Sequence, residues 1–181
     1  MLLTTLFLLI TLPFWLVGMS VISVIQLFFS APVLFCQRRL GRYGKPFLIY
    51  KFATLDDTGE PISAWHNWLR KTHLDELPQW INMMKGDMVL VGPRPLPERY
   101  FERMSARVKQ RFEVKPGLTG LAQVHEHDEI TWEERFAYDV LYVHRKKLML
   151  DVIIAGKTVV RIVKELGNNE PKKQITEYMR E

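Results

Sequence analysis

Hydrophobic positions are distributed very unevenly along this chain. From Met1 to Gln37 there is no charged side chain, and Arg38, Arg39, Arg42, Lys45 and Lys51 then arrive together. As one straight helix the uncharged segment would extend about 55 Å, well beyond the hydrocarbon core of roughly 30 Å. A break or bend is therefore expected, and Pro13 is the place for it, because proline lacks the amide donor and clashes with the preceding turn. Gly18, Ser20 and Ser23 are suited to close packing or to re-satisfying freed carbonyls. Ser30-Ala31-Pro32 marks the expected end of the apolar helix, with extended chain starting at Val33. A cleaved signal peptide is disfavoured, since no basic residue precedes the run and the run is too long. A spanning helix and a re-entrant helix, bent at Pro13 and leaving by the leaflet it entered, both fit the hydropathy. In either case the basic cluster that follows puts the rest of the chain on the cytoplasmic side.

Beyond this segment the periodicity changes. Pro46–Phe52 reads as a strand and Leu55–Pro61 as a polar turn. Ile62–Lys71 carries Trp65, Trp68 and Leu69 at helical spacing, the tryptophans being core or interfacial. Asp75–Lys85 reads as a helix with Pro78 in its first turn and Gly86 at its end. Met88–Val91 is a short strand. Leu96–Phe112 places Tyr100, Met104, Val108 and Phe112 on one stripe, with Arg99, Arg103, Arg107 and Lys109 mostly around the other faces. That pattern predicts one basic amphipathic helix, either solvated or adsorbed on a membrane, and the apolar segment favours the second. Lys115–Gln123 (KPGLTGLAQ) reads as a glycine-punctuated loop, and Thr131–Val143 and Leu148–Leu166 as two further helices. The tail from Gly167 is polar and expected to fray. The sum is a helix-rich α+β chain: a membrane segment over residues 1–36, then one domain with short strands over 37–181.

Composition narrows the partners. A chain of 181 residues is about one domain and buries a core without staples. The net charge of +5 belongs entirely to the part after Gln37. Nucleic acid, anionic lipid and anionic substrates all suit a basic domain. Beside an apolar segment lipid headgroups are favoured, and nucleic acid is not expected. Cys36 is the single cysteine, so there is no intrachain disulfide framework. It lies in an apolar run and reads as a packing residue. There is no P-loop, no Cys-x-x-Cys pair and no serine-triad context.

The candidate chemistry lies between Leu74 and Pro95. Asp75 and Glu76 sit at a predicted helix start, where carboxylates are stabilised, so capping is the plain explanation. The functional one makes one carboxylate a nucleophile or metal ligand and the other its assistant. Magnesium takes such oxygen ligands and bridges to phosphates, and a helix N-terminus also favours phosphate. Gly92-Pro93-Arg94-Pro95 holds one arginine between two prolines, a stiff mount for a guanidinium that forks onto phosphate. Asp139 and Asp151 lie in apolar helical surroundings and need partners, either a core arginine or a ligand. His125, Glu126 and His127 invite a metal, but a solvated loop is the simpler reading and no metal is assigned to them.

Taken in order, PVLFCQRRLGRYGKPFLIYKFATL, LDELPQ, KGDMVLVGPRPL, KPGLTGLAQV and the YDVLYV and LDV segments resemble the monotopic polyprenol-phosphate phosphoglycosyl transferases, the bacterial sugar transferase family. The resemblance covers nearly the whole chain. It implies a re-entrant helix-break-helix segment, interfacial amphipathic helices and a small catalytic domain on the cytoplasmic face of the bacterial inner membrane. It also implies transfer of a phosphosugar from a UDP-sugar to undecaprenyl phosphate, releasing UMP through a covalent aspartyl intermediate and initiating glycan assembly. On this resemblance Asp75 is the nucleophile and Glu76 its partner, both at Mg2+. Pro93, Arg94 and Pro95 match the nucleotide-sugar segment, and Thr119, Gln123, Asp139 and Asp151 match positions near the active site. Arg38 and Lys51 are the remaining substrate-binding candidates, and glycosyltransferases of the same pathway are candidate partners. The chain departs from the family at Leu12, usually serine, at Ala53-Thr54-Leu55, often Arg-Thr-Met, and at His125-Glu126-His127, commonly Asn-Gly-Arg. A non-catalytic membrane scaffold recruiting glycan-assembly enzymes is the alternative.

Overall fold

The computed structural model describes residues 2–29, 32–125 and 130–167. Its first element, α1 (Leu2–Gln26), continues through Pro13 as one helix, so of the break or bend that the sequence predicts there, a break is not found. The physical reason lies on either side of the proline. Trp80 donates from Nε1 to Thr11 Oγ1 at 3.1 Å, and Trp15 donates from its Nε1 to the Leu77 carbonyl at 2.9 Å. Tertiary contacts of this kind, rather than local propensity, sustain most helices. Helix α1 ends at Gln26, whose amide donates to Ala53 O at 2.9 Å, earlier than the expected Ser30-Ala31-Pro32 terminus. Ser30 and Ala31 lie outside the described residues. The 25-residue helix is long and apolar enough to cross a membrane, with mean hydropathy 2.3 in its most apolar window.

Next comes an antiparallel hairpin, β1 (Leu34–Leu40) with β2 (Pro46–Phe52), in register from Leu34↔Phe52 to Leu40↔Pro46. Strand β2 has the predicted bounds, and β1 carries the extended chain beyond Gln37. Strand β1 also crosses position 36, and Cys36 is exposed there rather than packed. Its neighbours Leu34 and Phe35 are exposed as well, while Phe52, opposite Leu34, is buried with Ile22 and Leu69.

Helix α2 (Ala64–Lys71) buries Leu69 completely and leaves Trp68 half-exposed. The chain then turns through His73 at φ 59° into a 3-10 turn, Leu74–Glu76, and only afterwards into α3 (Gln79–Met84). The predicted single helix Asp75–Lys85 is therefore two pieces. Pro78 has no amide to give to the Leu74 carbonyl, and the Leu77, Trp80 and Ile81 amides bond three residues back instead. Gly86, at φ 77°, ends the helix as expected.

Strand β3 (Val89–Val91) pairs in parallel with β4 (Gly117–Thr119). The segment Lys115–Gln123, expected as loop, thus supplies a strand and then α5 (Leu121–Val124), corrected by close backbone contact. A Cβ on Gly92 would lie 2.5 Å from Lys115 O and 2.9 Å from Gly117 N, and one on Gly117 would overlap the Gly92 amide. Gly117→Ala is accordingly expected to cost about 1–3 kcal/mol as an overpacked site, visible as a lower melting temperature with membrane extraction unchanged.

The predicted amphipathic helix Leu96–Phe112 is absent. In its place are a 3-10 turn (Glu98–Tyr100), the short α4 (Ala106–Lys109) and another 3-10 turn (Gln110–Glu113). Ser105 breaks the run by capping α4, accepting from the Val108 amide at 3.4 Å. Tyr100, Met104 and Phe112 bury with Leu40, Leu96 and Phe136. The stripe is core, not a lipid-adsorbed face.

Helix α6 (Trp132–Arg145) opens with a Thr131–Glu134 capping box, and α7 (Leu148–Gly167) closes the described chain. Helix α1 is packed into the domain along its length. Phe7, Leu8 and Trp15 join Ile49, Trp80, Met83 and Met88, while Met19 and Ile22 join Phe52 and Leu69. Outward residues such as Ile10, Phe14 and Val17 on α1, and Met149, Val159 and Val163 on α7, are exposed and apolar.

Candidate active site

One face of the β1–β2 hairpin meets the Leu74–Glu76 turn and the Gly92–Pro95 loop. Between them lies a cleft lined by Arg39, Lys51, Glu76, Gln79, Arg94, Pro95 and Leu118. Asp75 and Glu76 cap nothing: neither the 3-10 turn nor α3 has a side-chain cap. The turn is also too short to serve as a phosphate-binding helix N-terminus, so that expectation is not met.

The two acids occupy opposite electrostatic situations. Asp75 is only 6% exposed. Burial first, then the adjacent Glu76 charge, push its carboxyl up to about 6, against the pull of Lys51, Arg70 and Arg94. Burial alone would raise Glu76 as well. Here Lys51 Nζ at 2.6 Å and Arg94 Nη2 at 3.4 Å from Oε1 outweigh it and hold the carboxyl well below the usual range. The turn thus carries one firmly ionised acid and one poised near neutrality.

The loop that presents Arg94 is held at nearly every peptide. Gly92 N donates to Thr119 O at 2.8 Å, and Pro93 O accepts from Gly117 N at 3.0 Å. Arg94 O accepts from Arg111 Nη2 at 2.8 Å, and Pro95 O lies 3.5 Å from Arg39 Nη1. Arg111 is buried and ion-paired to Asp139 at 2.6 Å. Asp139 therefore has the core arginine that its apolar surroundings require.

The other sequence candidates are placed as follows. Arg38 faces away from Lys51 and pairs with Glu98 at 3.3 Å, both largely exposed. Asp151 Oδ1 lies 2.8 Å from the Tyr142 hydroxyl, which also reaches Val91 O at 2.9 Å. Burial, and then Asp151, raise the Tyr142 phenol. Thr119 and Thr158 share a hydroxyl hydrogen bond at 2.6 Å. Gln123 donates to Leu118 O at 3.1 Å, and Arg161 donates to its backbone carbonyl. His125 stacks on Tyr138 at 4.7 Å, while Glu126 and His127 lie outside the described residues. The structure thus gathers Asp75, Glu76, Lys51 and the Pro93–Pro95 loop, and engages Arg38, Thr119, Gln123, Asp139 and Asp151 in other contacts.

Sequence reading missed Arg39, Gln79 and Arg111. A signal for Arg39 was available: Gln37 pairs with Ile49 and Arg39 with Phe47, so alternation puts Arg39, not Arg38, on the Lys51 face. Burial and the neighbouring Arg94 charge push its guanidinium down to about 10. Arg111 was hidden inside the expected amphipathic helix.

No group of three or more His, Cys, Asp or Glu side chains gathers among the described residues. Asp75 and Glu76 offer a pair of hard oxygen donors. That set fits magnesium, which takes one or two carboxylates and completes its shell with water and substrate phosphate.

Comparisons with known proteins give the family. Residues 1–165 match the family described as Bacterial sugar transferase. The chain is 39% identical over 156 residues to the uncharacterized sugar transferase EpsL of Bacillus subtilis, covering 81% of this chain and 77% of that one. It is 35% identical over 170 residues to the UDP-glucose:undecaprenyl-phosphate glucose-1-phosphate transferase of Xanthomonas campestris pv. campestris, covering 82% of this chain but 35% of the relative. The undecaprenyl-phosphate galactose phosphotransferase of Salmonella typhimurium is 32% identical over 165 residues, with 76% and 35% covered.

Proposed function

Because this chain belongs to the bacterial sugar transferase family, we propose that it moves a sugar phosphate from a UDP-sugar to undecaprenyl phosphate and releases UMP. The observation that carries this reading is the Asp75–Glu76 turn: a buried carboxylate beside one clamped by Lys51 and Arg94. An Asp75 oxygen attacks the sugar-linked phosphorus, an Asp75–phosphorus bond forms, and the bond to the UMP oxygen breaks. A lipid phosphate oxygen then attacks the same phosphorus and frees the Asp75 carboxylate. Splitting one transfer into two steps lets a single cleft serve both substrates in turn and gives ping-pong kinetics.

Free carboxylate is a weak nucleophile, so its environment must activate it. Asp75 is desolvated. Lys51 and Arg94 keep Glu76 ionised and add positive charge where phosphate oxygens arrive. Magnesium, held by Asp75 and Glu76, would supply charge neutralisation on the diphosphate. In this reading α1 inserts in the inner membrane as a re-entrant helix, with the domain on the cytoplasmic face, and the product enters glycan assembly.

A UMP-release screen over a panel of UDP-sugars, with the protein in nanodiscs and undecaprenyl phosphate present, tests the reaction. UMP release with none of them would refute it. The raised Asp75 carboxyl gives the reaction a pH signature. The nucleophile is the ionised form, so kcat/KM is expected to fall about tenfold per pH unit below about 6. An initial-rate profile that stays flat down to pH 4.5 would contradict that assignment.

A further inference from the structure

The cations of the cleft are unevenly matched. Lys51 and Arg94 both pair with Glu76. Arg39 lines the same cleft and forms no ion pair among the described residues. Its Nη2 donates to the neutral Gln37 amide oxygen at 2.6 Å. Its Nη1 is 3.5 Å from Pro95 O, at the edge of a hydrogen bond. Its Nε is buried with no acceptor. A partly buried guanidinium whose hydrogen bonds go only to neutral oxygens is costly; Arg94 nearby adds repulsion, which Tyr100 and the more distant Glu76 charge offset only in part. Folding places it there nonetheless, because strand register sets Arg39 on the Lys51 face while Arg38 turns outward to Glu98.

We propose that Arg39 is an anion-binding residue of this cleft and takes a phosphate oxygen of the substrate in its forked donors. The anion completes the charge that the fold leaves unmatched. Which phosphate it takes rests on the transfer reading above: the nucleotide diphosphate and the polyprenyl phosphate present the same oxygen chemistry.

The test uses the full chain in nanodiscs, with Arg39→Gln and Arg39→Lys compared with the unsubstituted protein. Melting temperature is read with and without millimolar UDP or inorganic pyrophosphate, and KM and kcat are read for each substrate. Without Arg39→Gln, UDP or pyrophosphate raises the melting temperature by mass action. In Arg39→Gln most of that rise is lost, the ligand-free melting temperature is not lowered, and KM for one phosphate substrate rises about tenfold or more. Arg39→Lys keeps part of the binding. A rise confined to the UDP-sugar KM assigns Arg39 to the diphosphate, and one confined to the lipid KM assigns it to the lipid phosphate. An unchanged ligand-induced shift with both KM values unchanged overturns the proposal. So does a lowered ligand-free melting temperature with unchanged KM, which would make Arg39 a brace for the Pro95 carbonyl. If neither anion stabilises the unsubstituted protein, the proposal also fails. Absence of UMP release would sink the transfer reading alone, because the thermal-shift arm needs no turnover.

Discussion

Asp75→Asn is expected to abolish UMP release and, at pH 8, to raise the melting temperature. On the proposed mechanism the substitution removes the nucleophile, a loss on the order of 10³-fold or more. The gain follows from linkage. The folded protein holds the Asp75 carboxyl at about 6 against a usual 3.8. Ionised Asp75 therefore costs stability; the cost is absent below the unfolded value and complete above about pH 6. Two pKa units correspond to about 3 kcal/mol, an upper figure for a neutral isostere at the same place. For a chain of this size that is several degrees. Thermal melts of the two proteins should differ at pH 8 and converge near pH 4. A variant that is inactive but no more stable at pH 8 would show that burial does not strain Asp75.

The second large effect lies behind the Arg94 loop. Breaking the Arg111–Asp139 pair on one side, as in Asp139→Asn or Arg111→Met, is expected to cost about 3–5 kcal/mol, because one charge stays buried alone. Arg111 is 2% exposed and has no route to water. Replacing both, Arg111→Met with Asp139→Leu, should recover much of the stability, since apolar residues often substitute for a buried pair at little cost. It should not recover substrate affinity. Arg94 O loses its 2.8 Å donor whenever Arg111 is replaced, and the loop that presents the guanidinium then loosens. Chemical denaturation paired with KM for the UDP-sugar separates the two outcomes. A double variant with a normal KM would remove Arg111 from the positioning of Arg94.

How far the chain could be read without coordinates depended on the kind of signal. Strand β2 and helices α6 and α7 were legible, because each has a clean period and a clear boundary: Pro46, the Thr131 cap and the Leu148 start. The apolar helix was legible from composition, but its uninterrupted passage through Pro13 was not, since Thr11 and Trp15 take their partners from residues more than sixty positions away. Residues 96–112 misled for a specific reason. A spacing of four satisfies a helix, but Ser105 captures the Val108 amide and restarts the chain, and the stripe still converges on one core. Strand β4 was illegible because glycines in KPGLTG signal a loop equally well; only Gly92 opposite them shows that they admit a neighbouring backbone. At the site, chemical type revealed Asp75, Glu76 and Arg94. Arg39 needed the strand register, and Arg111 needed the knowledge that its helix does not form.

The attachment of α1 has a consequence for acceptor encounter. Thr4 takes the Leu90 amide, Trp15 reaches Leu77, two residues from Asp75, and Gln26 holds Ala53. An anchor joined in this way is no tether with slack. With α1 in a bilayer, as proposed above, the height of the cleft above the lipid is a property of the folded body, unaffected by linker length. Such a helix is also not interchangeable. A chimera carrying an unrelated apolar helix would leave the Leu90 amide and the Trp80 indole without the Thr4 and Thr11 hydroxyls that they meet here.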